Sequence, residues 1–212
     1  MIRFYYASGS PFAWRVHLAL EEKGLAYQPA LLSFQAGDLR KPEYLALSPH
    51  GKVPAITDGE VKLYESQAIL EYLEEEYPDR PLLPDSNAER ALVRIEEQEA
   101  TLYFFGAFQG VARQAFFTPP DQRDHEALQA ARAASRAELE RLEARAAARG
   151  KDCILGGRPT RADFTWVPFV EIAGRGGIEL DAGKTPWLVA WRERMRKRPS
   201  YDASYPPHWR GK

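Results

Sequence analysis

Three stretches of the sequence set reactive groups beside turns. Ser8-Gly9-Ser10-Pro11 brings two hydroxyls to a turn, with Ser10 a good N-cap and Pro11 suited to the first position of a helix. A hydroxyl at a helix start can donate to an anion, and the positive end of the helix dipole adds to that attraction. Glu65-Ser66 repeats the theme, a carboxylate followed by a hydroxyl where another helical run opens. Gly51-Lys52-Val53-Pro54 offers a cation and a stretch of backbone, because Pro54 cannot donate to a ladder and must lie at a strand start or edge. These groups suit binding and orienting an anion rather than redox or metal chemistry. Cys153 is the single cysteine, which excludes an internal disulfide, a Cys-x-x-Cys pair and a multi-thiolate metal site, and four scattered histidines make metal chemistry an unsupported expectation.

The elements that must position these groups follow from pattern. Ile2-Arg3-Phe4-Tyr5-Tyr6 reads as a buried strand, and a helix follows with Phe12, Val16 and Ala19 on one face and Gly24 as its stop. Residues 26–32 read as a second strand, parallel to the first by the right-handed crossover rule. After a short helix at 42–46, two apolar runs flank Asp58-Gly59, a strong hairpin signal. Ser66 then opens a helix with Ile69, Tyr72 and Leu73 inward, closed by Pro78. The order is βαβ, α, ββα. A proline-rich stretch, Pro78-Asp79-Arg80-Pro81-Leu82-Leu83-Pro84-Asp85, then marks a boundary, after which strand signals cease. Long helices are expected at about 87–115, with bends at Gly106 and Gly110, and at about 121–148. Thr160-Arg161-Ala162-Asp163 has the form of a capping box and should start a buried helix. A last helix should open at Thr185-Pro186 and end at Pro199, with the basic run 192–198 as its solvated face.

The 212 residues suit two small domains: 1–77, an α/β unit, and 87–212, all helical, joined by a linker at 78–86. A net charge of −1 gives no electrostatic reason to bind nucleic acid or an anionic membrane, and no apolar run reaches the length of a membrane span. No export signal is expected, which leaves the cytoplasm as the default.

Over nearly its whole length the chain resembles the cytosolic glutathione transferases. Ser8-Gly9-Ser10-Pro11-Phe12-Ala13-Trp14-Arg15-Val16 with Leu18-Ala19-Leu20 looks like the serine-type active-site motif of the tau, zeta and theta classes. Gly51-Lys52-Val53-Pro54 resembles the glutathione-binding loop with its cis-proline, Leu63-Tyr64-Glu65-Ser66 the pair that grips the γ-glutamyl end, and Thr160-Arg161-Ala162-Asp163 the folding motif of the helical domain. Ser10-Pro11-Phe12 leans towards tau and Trp14-Arg15-Val16 towards zeta, so the class stays open. Two residues depart from the pattern: Ser48-Pro49 stands where Asn-Pro is usual, and Pro159 is a weak staple partner for Phe164. The resemblance implies an N-terminal thioredoxin-like domain, a C-terminal helical bundle carrying an electrophile pocket, a cytoplasmic homodimer with a role in detoxification, and glutathione as cosubstrate, without metal.

Such an enzyme must supply thiolate from a thiol of pKa about 8.5, which is only about 3% ionised at pH 7. Lowering that pKa by two units takes about 2.7 kcal/mol. One charge-assisted hydrogen bond contributes about 1.5–3 kcal/mol and a helix N-terminus about 0.3–1 kcal/mol, so a hydroxyl at a helix start suffices. Ser10 is the expected donor to the sulfur, with Ser8 and Tyr6 as alternatives, although Ser10 also reads simply as an N-cap. Phe12 occupies the place where cysteine-type classes carry a thiol, which disfavours thiol–disulfide exchange. Val53 is expected to pair its backbone with the cysteinyl part, Ser66 and Glu65 to hold the γ-glutamyl carboxylate and ammonium, and Lys52 to pair with a glutathione carboxylate, as Arg40 or Lys41 could also do. Of the aromatic cluster Tyr103, Phe104, Phe105, Phe108, Phe116 and Phe117, two members are expected to line the electrophile pocket and the rest to be core. Trp166 and Trp191 read as core, and Cys153 as a small buried or boundary thiol. The leading expectation is transfer of the thiolate to a partly hydrophobic electrophile. The alternatives are an isomerase of the maleylacetoacetate type or a dehalogenase, which Trp14-Arg15 and an arginine-lined pocket would suit, and a non-catalytic binding module.

Overall fold

A run of alternating apolar residues, Ile2 and Phe4 inward, places strand β1 (Ile2–Tyr6) at the centre of a sheet with the order β2-β1-β3-β4. The computed structural model describes residues 1–210. Strand β2 (Tyr27–Leu31) runs parallel to β1, as the crossover through helix α1 (Pro11–Lys23) requires. Strands β3 (Ala55–Asp58) and β4 (Val61–Tyr64) form the hairpin turned by Asp58-Gly59, and β3 lies antiparallel to β1 with Tyr5 opposite Ala55. Helix α2 (Pro42–Leu45) precedes the hairpin and α3 (Ser66–Glu76) follows it. The core of this unit joins Phe4 and Ile56 of the sheet to Val16 and Leu20 of α1 and Ile69 and Leu73 of α3, all fully buried. Tyr72, expected inward, is half-buried, and its hydroxyl donates to Asp58 at 3.1 Å.

Lys23 and Glu74 form a buried ion pair at 3.3 Å between α1 and α3. Glu74 also accepts from the backbone N–H groups of Leu82 and Leu83, each at 3.0 Å for its Oε1. A charge pair in the core is tolerable because its remaining polar valences are filled this way.

The second unit, from Pro84 to Lys197, is helical. Helix α4 (Asn87–Gln98) continues through a π-helical turn (Glu99–Phe104) into α5 (Phe105–Ala112) and a second π-helical turn (Arg113–Phe117). The departures from α geometry therefore flank the glycines rather than fall on them. Gly110 serves close packing instead: a Cβ there would meet the Ala131 Cβ at 2.8 Å. Helix α6 (His125–Arg149) starts later than the expected residue 121, because Asp124 accepts from the Ala127 N–H at 2.9 Å as its N-cap.

Helix α7 (Arg161–Arg175) opens on the capping box, with the Thr160 N–H donating to Asp163 at 2.8 Å. Asp163 also accepts from the Ile154 N–H and the Trp191 indole, which fixes the loop before α7 and helix α8 (Pro186–Arg196) against one carboxylate. Burial pushes the Asp163 carboxyl above its ordinary pKa, against the pull of these hydrogen bonds.

The end of the chain departs from the expected layout. Helix α8 stops at Arg196, its C-cap Lys197 just ahead of Pro199, and the same proline opens a further helix, α9 (Pro199–Ser204), as an N1 proline does. The segment from Arg198 packs with Met1–Leu83 rather than with the helical unit of which it was expected to be part as 87–212. Residues 211 and 212 of that range lie outside the described residues. The basic run is no plain solvated face either. Arg196 donates to both Glu171 oxygens at 2.8 Å, and Arg198 to both Glu22 oxygens at 2.6 Å. Among the described residues no helix is long and apolar enough to cross a membrane.

Candidate functional site

The strand register explains why the candidate residues gather at one end of the sheet. Tyr5 of β1 pairs with Ala55, the first residue of β3, and Ala55 pairs with Tyr64, the last residue of β4. The carboxyl end of β1 leading to Ser10, the chain entering β3 through Val53, and the chain leaving β4 through Glu65 and Ser66 therefore meet at the same edge. In open α/β sheets this end of the strands is where ligands bind.

Ser10 is the N-cap of α1, with its Oγ accepting from the Ala13 N–H at a long 3.3 Å. As an acceptor there, the hydroxyl keeps its proton for another partner. The cavity that Ser10 shares with Tyr6, Ser8, His17 and Tyr205 measures only about 90 Å³, too small for a tripeptide. A ligand of that size must lie over the open side of the helix start.

Tyr6 stacks on Phe4 at 5.2 Å. His17, one α1 turn beyond Ala13 and Trp14, meets the Tyr27 hydroxyl at 2.6 Å, and Tyr27 donates to Glu21 at 2.5 Å. Burial lowers the His17 pKa to about 4, against a smaller raising effect of Glu21, so the imidazole is neutral at pH 7.

Ser66 begins α3 and is buried. Its Oγ accepts from Arg15 Nε at 3.0 Å and Arg15 Nη2 at 2.5 Å, a contact that ties α1 to the start of α3. With both lone pairs facing a guanidinium, the Ser66 proton points away from Arg15, and the cation strengthens it as a donor. Arg15 is itself buried and lies 5.2 Å from the Phe12 ring centroid. Arg15, which with Trp14 suited the isomerase or dehalogenase alternative, is placed with its guanidinium donating to Ser66.

Glu65 stands at φ 67, the one non-glycine residue with positive φ among the described residues. Such a conformation costs about 1–3 kcal/mol and is held where the surroundings demand it, commonly at ligand clamps. Val53 is buried and joined to Pro54 by a cis peptide bond, as the resemblance implied. The loop before it is held by two residues that the sequence reading did not single out for this role. Tyr44 Oη and Ser48 Oγ both donate to the Lys52 carbonyl, at 2.6 and 2.8 Å. Ser48 is thus the anchor of the Val53 loop, and its departure from Asn is met by a hydroxyl doing the bracing. The Lys52 side chain is exposed, and Lys41 pairs with Asp38 at 2.7 Å.

In the helical unit, Phe104 and Phe108 are fully buried and stack at 5.6 Å, so they are core. Phe116 and Phe117 are exposed on the second π-helical turn, 40% and 76% accessible. Cys153 is buried, as are Trp166 and Trp191.

Comparison with known proteins bears on this site. Residues 4–81 match the glutathione S-transferase N-terminal domain and residues 100–199 the glutathione S-transferase C-terminal domain. Glutathione S-transferase A of Pleuronectes platessa is 31% identical over 207 residues, covering 96% of this chain and 91% of that protein. Maleylacetoacetate isomerase of Pseudomonas aeruginosa is 48% identical over 94 residues, 42% of this chain and 43% of that protein. The solved theta class glutathione S-transferase of Xanthomonas axonopodis pv. citri, with glutathione bound, superposes with a TM-score of 0.84 at 31% identity, over 96% of each chain.

Proposed function

The chain belongs to the glutathione S-transferase family, and from that premise we propose that it binds glutathione at the carboxyl edge of its sheet and adds the thiolate to partly hydrophobic electrophiles. The observation that carries this reading is Ser10 at the start of α1, capping the helix only weakly through Oγ and so free to donate its proton to a sulfur. Ser10 is the thiolate donor, assisted by the positive end of α1. Val53 pairs its backbone with the cysteinyl unit. Ser66, aimed by Arg15, and the N–H groups at the start of α3 hold the γ-glutamyl carboxylate, while Glu65 accepts from its ammonium. Lys52 pairs with a carboxylate of glutathione. No residue is asked to serve as nucleophile, because the nucleophile arrives with the cosubstrate. As the family resemblance implies, aromatic side chains of the helical unit take the apolar part of the electrophile. We also place the protein in the cytoplasm as a homodimer, as its family implies.

A second reading, glutathione-dependent isomerisation, is favoured by the identity shared with maleylacetoacetate isomerase. It would use the same Ser10 and glutathione grip, but Arg15 could not serve as its substrate arginine. Steady-state rates with glutathione and 1-chloro-2,4-dinitrobenzene, beside rates with a cis-dienone substrate, test the pair. Conjugation that saturates in both substrates is expected; cis–trans conversion without conjugation would replace the first reading by the second, and neither activity would leave a binding module.

A further inference from the structure

The C-terminal segment is fastened along α1 within the N-terminal unit, and the active-site turn is what it reaches last. At the far end of α1, Arg198 and Ser200 both donate to Glu22. Midway, the Trp14 indole donates to Ser204 Oγ at 2.9 Å, and its ring lies 5.6 Å from both Tyr205 and Trp209. At the near end, His208 Nδ1 stands 2.6 Å from Ser8 Oγ. The same imidazole covers Gly9, where a Cβ would meet His208 Cε1 at 3.0 Å, His208 Nε2 at 3.2 Å and Trp209 Cζ2 at 3.3 Å. Gly9 has φ +85, a conformation glycine adopts freely, and within the turn one backbone bond, Ser10 N–H to the Ala7 carbonyl at 3.2 Å, closes it.

We infer that His208 is a positioning residue for the thiolate site, an assignment that rests on the transferase reading. A serine hydroxyl has one proton to give. In this assignment the imidazole carries its proton on Nε2 and its Nδ1 accepts a hydrogen bond from the Ser8 hydroxyl, so Ser8 becomes a post of the turn and its one proton is not offered to a sulfur. The ring over Gly9 then fixes the turn with Ser10 as the donor. A donor held in place before the thiolate forms stabilises it without reorganisation, which is what lowers the thiol pKa. The His208–Ser8 bond thus selects which of two neighbouring hydroxyls serves the reaction, from a segment 200 residues away in sequence.

The test is the pKa of glutathione bound to the full-length chain, read from thiolate absorbance, together with kcat and the glutathione KM. His208→Ala is expected to raise the bound thiol pKa by about half to one unit and to lower kcat roughly three- to tenfold, with KM changed less than about twofold. His208→Asn, whose Oδ1 can take the place of Nδ1, should restore most of the shift. Ser8→Ala removes the same bond without disturbing the packing of the tail, and the Ser8→Ala/His208→Ala double variant should be no worse than His208→Ala alone. A thiol pKa in His208→Ala and Ser8→Ala equal to that of the wild type overturns the inference, as does a His208→Asn as impaired as His208→Ala, which would reduce the role to packing. A wild type that leaves the thiol unshifted removes the transferase reading first and this inference with it.

Discussion

Ser66 and Glu65 show how much of this site is decided by single side chains. Ser66 is buried with a guanidinium on its lone pairs, so its donor direction is set before any ligand arrives. Glu65 pays for its place with a left-handed backbone, φ 67. Glu65→Gly should therefore stabilise the fold by about 1 kcal/mol, since glycine takes positive φ without strain. The same change should raise the glutathione KM by about tenfold through loss of one charge-assisted contact. Chemical denaturation and steady-state kinetics on the one variant check both. A variant less stable than wild type, or one with unchanged KM, would mean that the strain is not kept for binding. Of these particulars the sequence carried the residue identities through the Glu-Ser motif, but not the partner of Ser66. Arg15 lies 51 positions away, and only the approach of α1 to α3 makes the contact. Ser48 and Tyr44 were hidden for a similar reason: a hydroxyl that braces a carbonyl leaves no spacing signal, and Ser48 stood out only as a departure from a family habit.

Among the elements, α7 shows most clearly what holds the helical unit. Arg161, the second residue of the capping box motif, donates to both oxygens of Glu97 on α4 at 2.9 and 2.8 Å, with both side chains buried. Arg161→Met leaves a carboxylate in the core and should cost about 3–5 kcal/mol, while Arg161→Met combined with Glu97→Leu should recover most of it. Urea midpoints read the difference; a single variant that costs no more than the double one would show the pair to be incidental. The capping box itself was legible because its signal is local, Thr160 and Asp163 being three residues apart. So were the strands and α1 to α3, each marked by proline, glycine or serine at an end. The π-helical turns around α5 were not, since no residue type marks a widened turn; of the two glycines that suggested bends, Gly110 lets α6 approach at Ala131, while a Cβ at Gly106 would meet nothing within 4 Å.

At the scale of the whole chain, the boundary near residue 83 was readable from its prolines, but the return of the last segment to the first unit was not. Pro199 reads equally as a stop and as a start, and the contacts that decide, such as Trp14 with Ser204, join residues 190 positions apart. The exposed apolar side chains Leu92, Ile95, Leu102 and Tyr103 lie on α4 and the turn that continues it. A patch of this kind calls for a cover, and the homodimer we propose would supply one. Sedimentation should give a dimer for the wild type and a monomer for Ile95→Glu/Leu102→Glu; a wild-type monomer would contradict the assignment. The account as a whole turns on whether the start of α1 makes a thiolate. The direct measurement is the pH dependence of thiolate absorbance for glutathione bound to the wild type and to Ser10→Ala. The account predicts a wild-type thiol pKa lowered by at least about one unit and a return towards about 8.5 in Ser10→Ala, with glutathione still bound. A shift that survives Ser10→Ala, or a wild type with no shift, would contradict it.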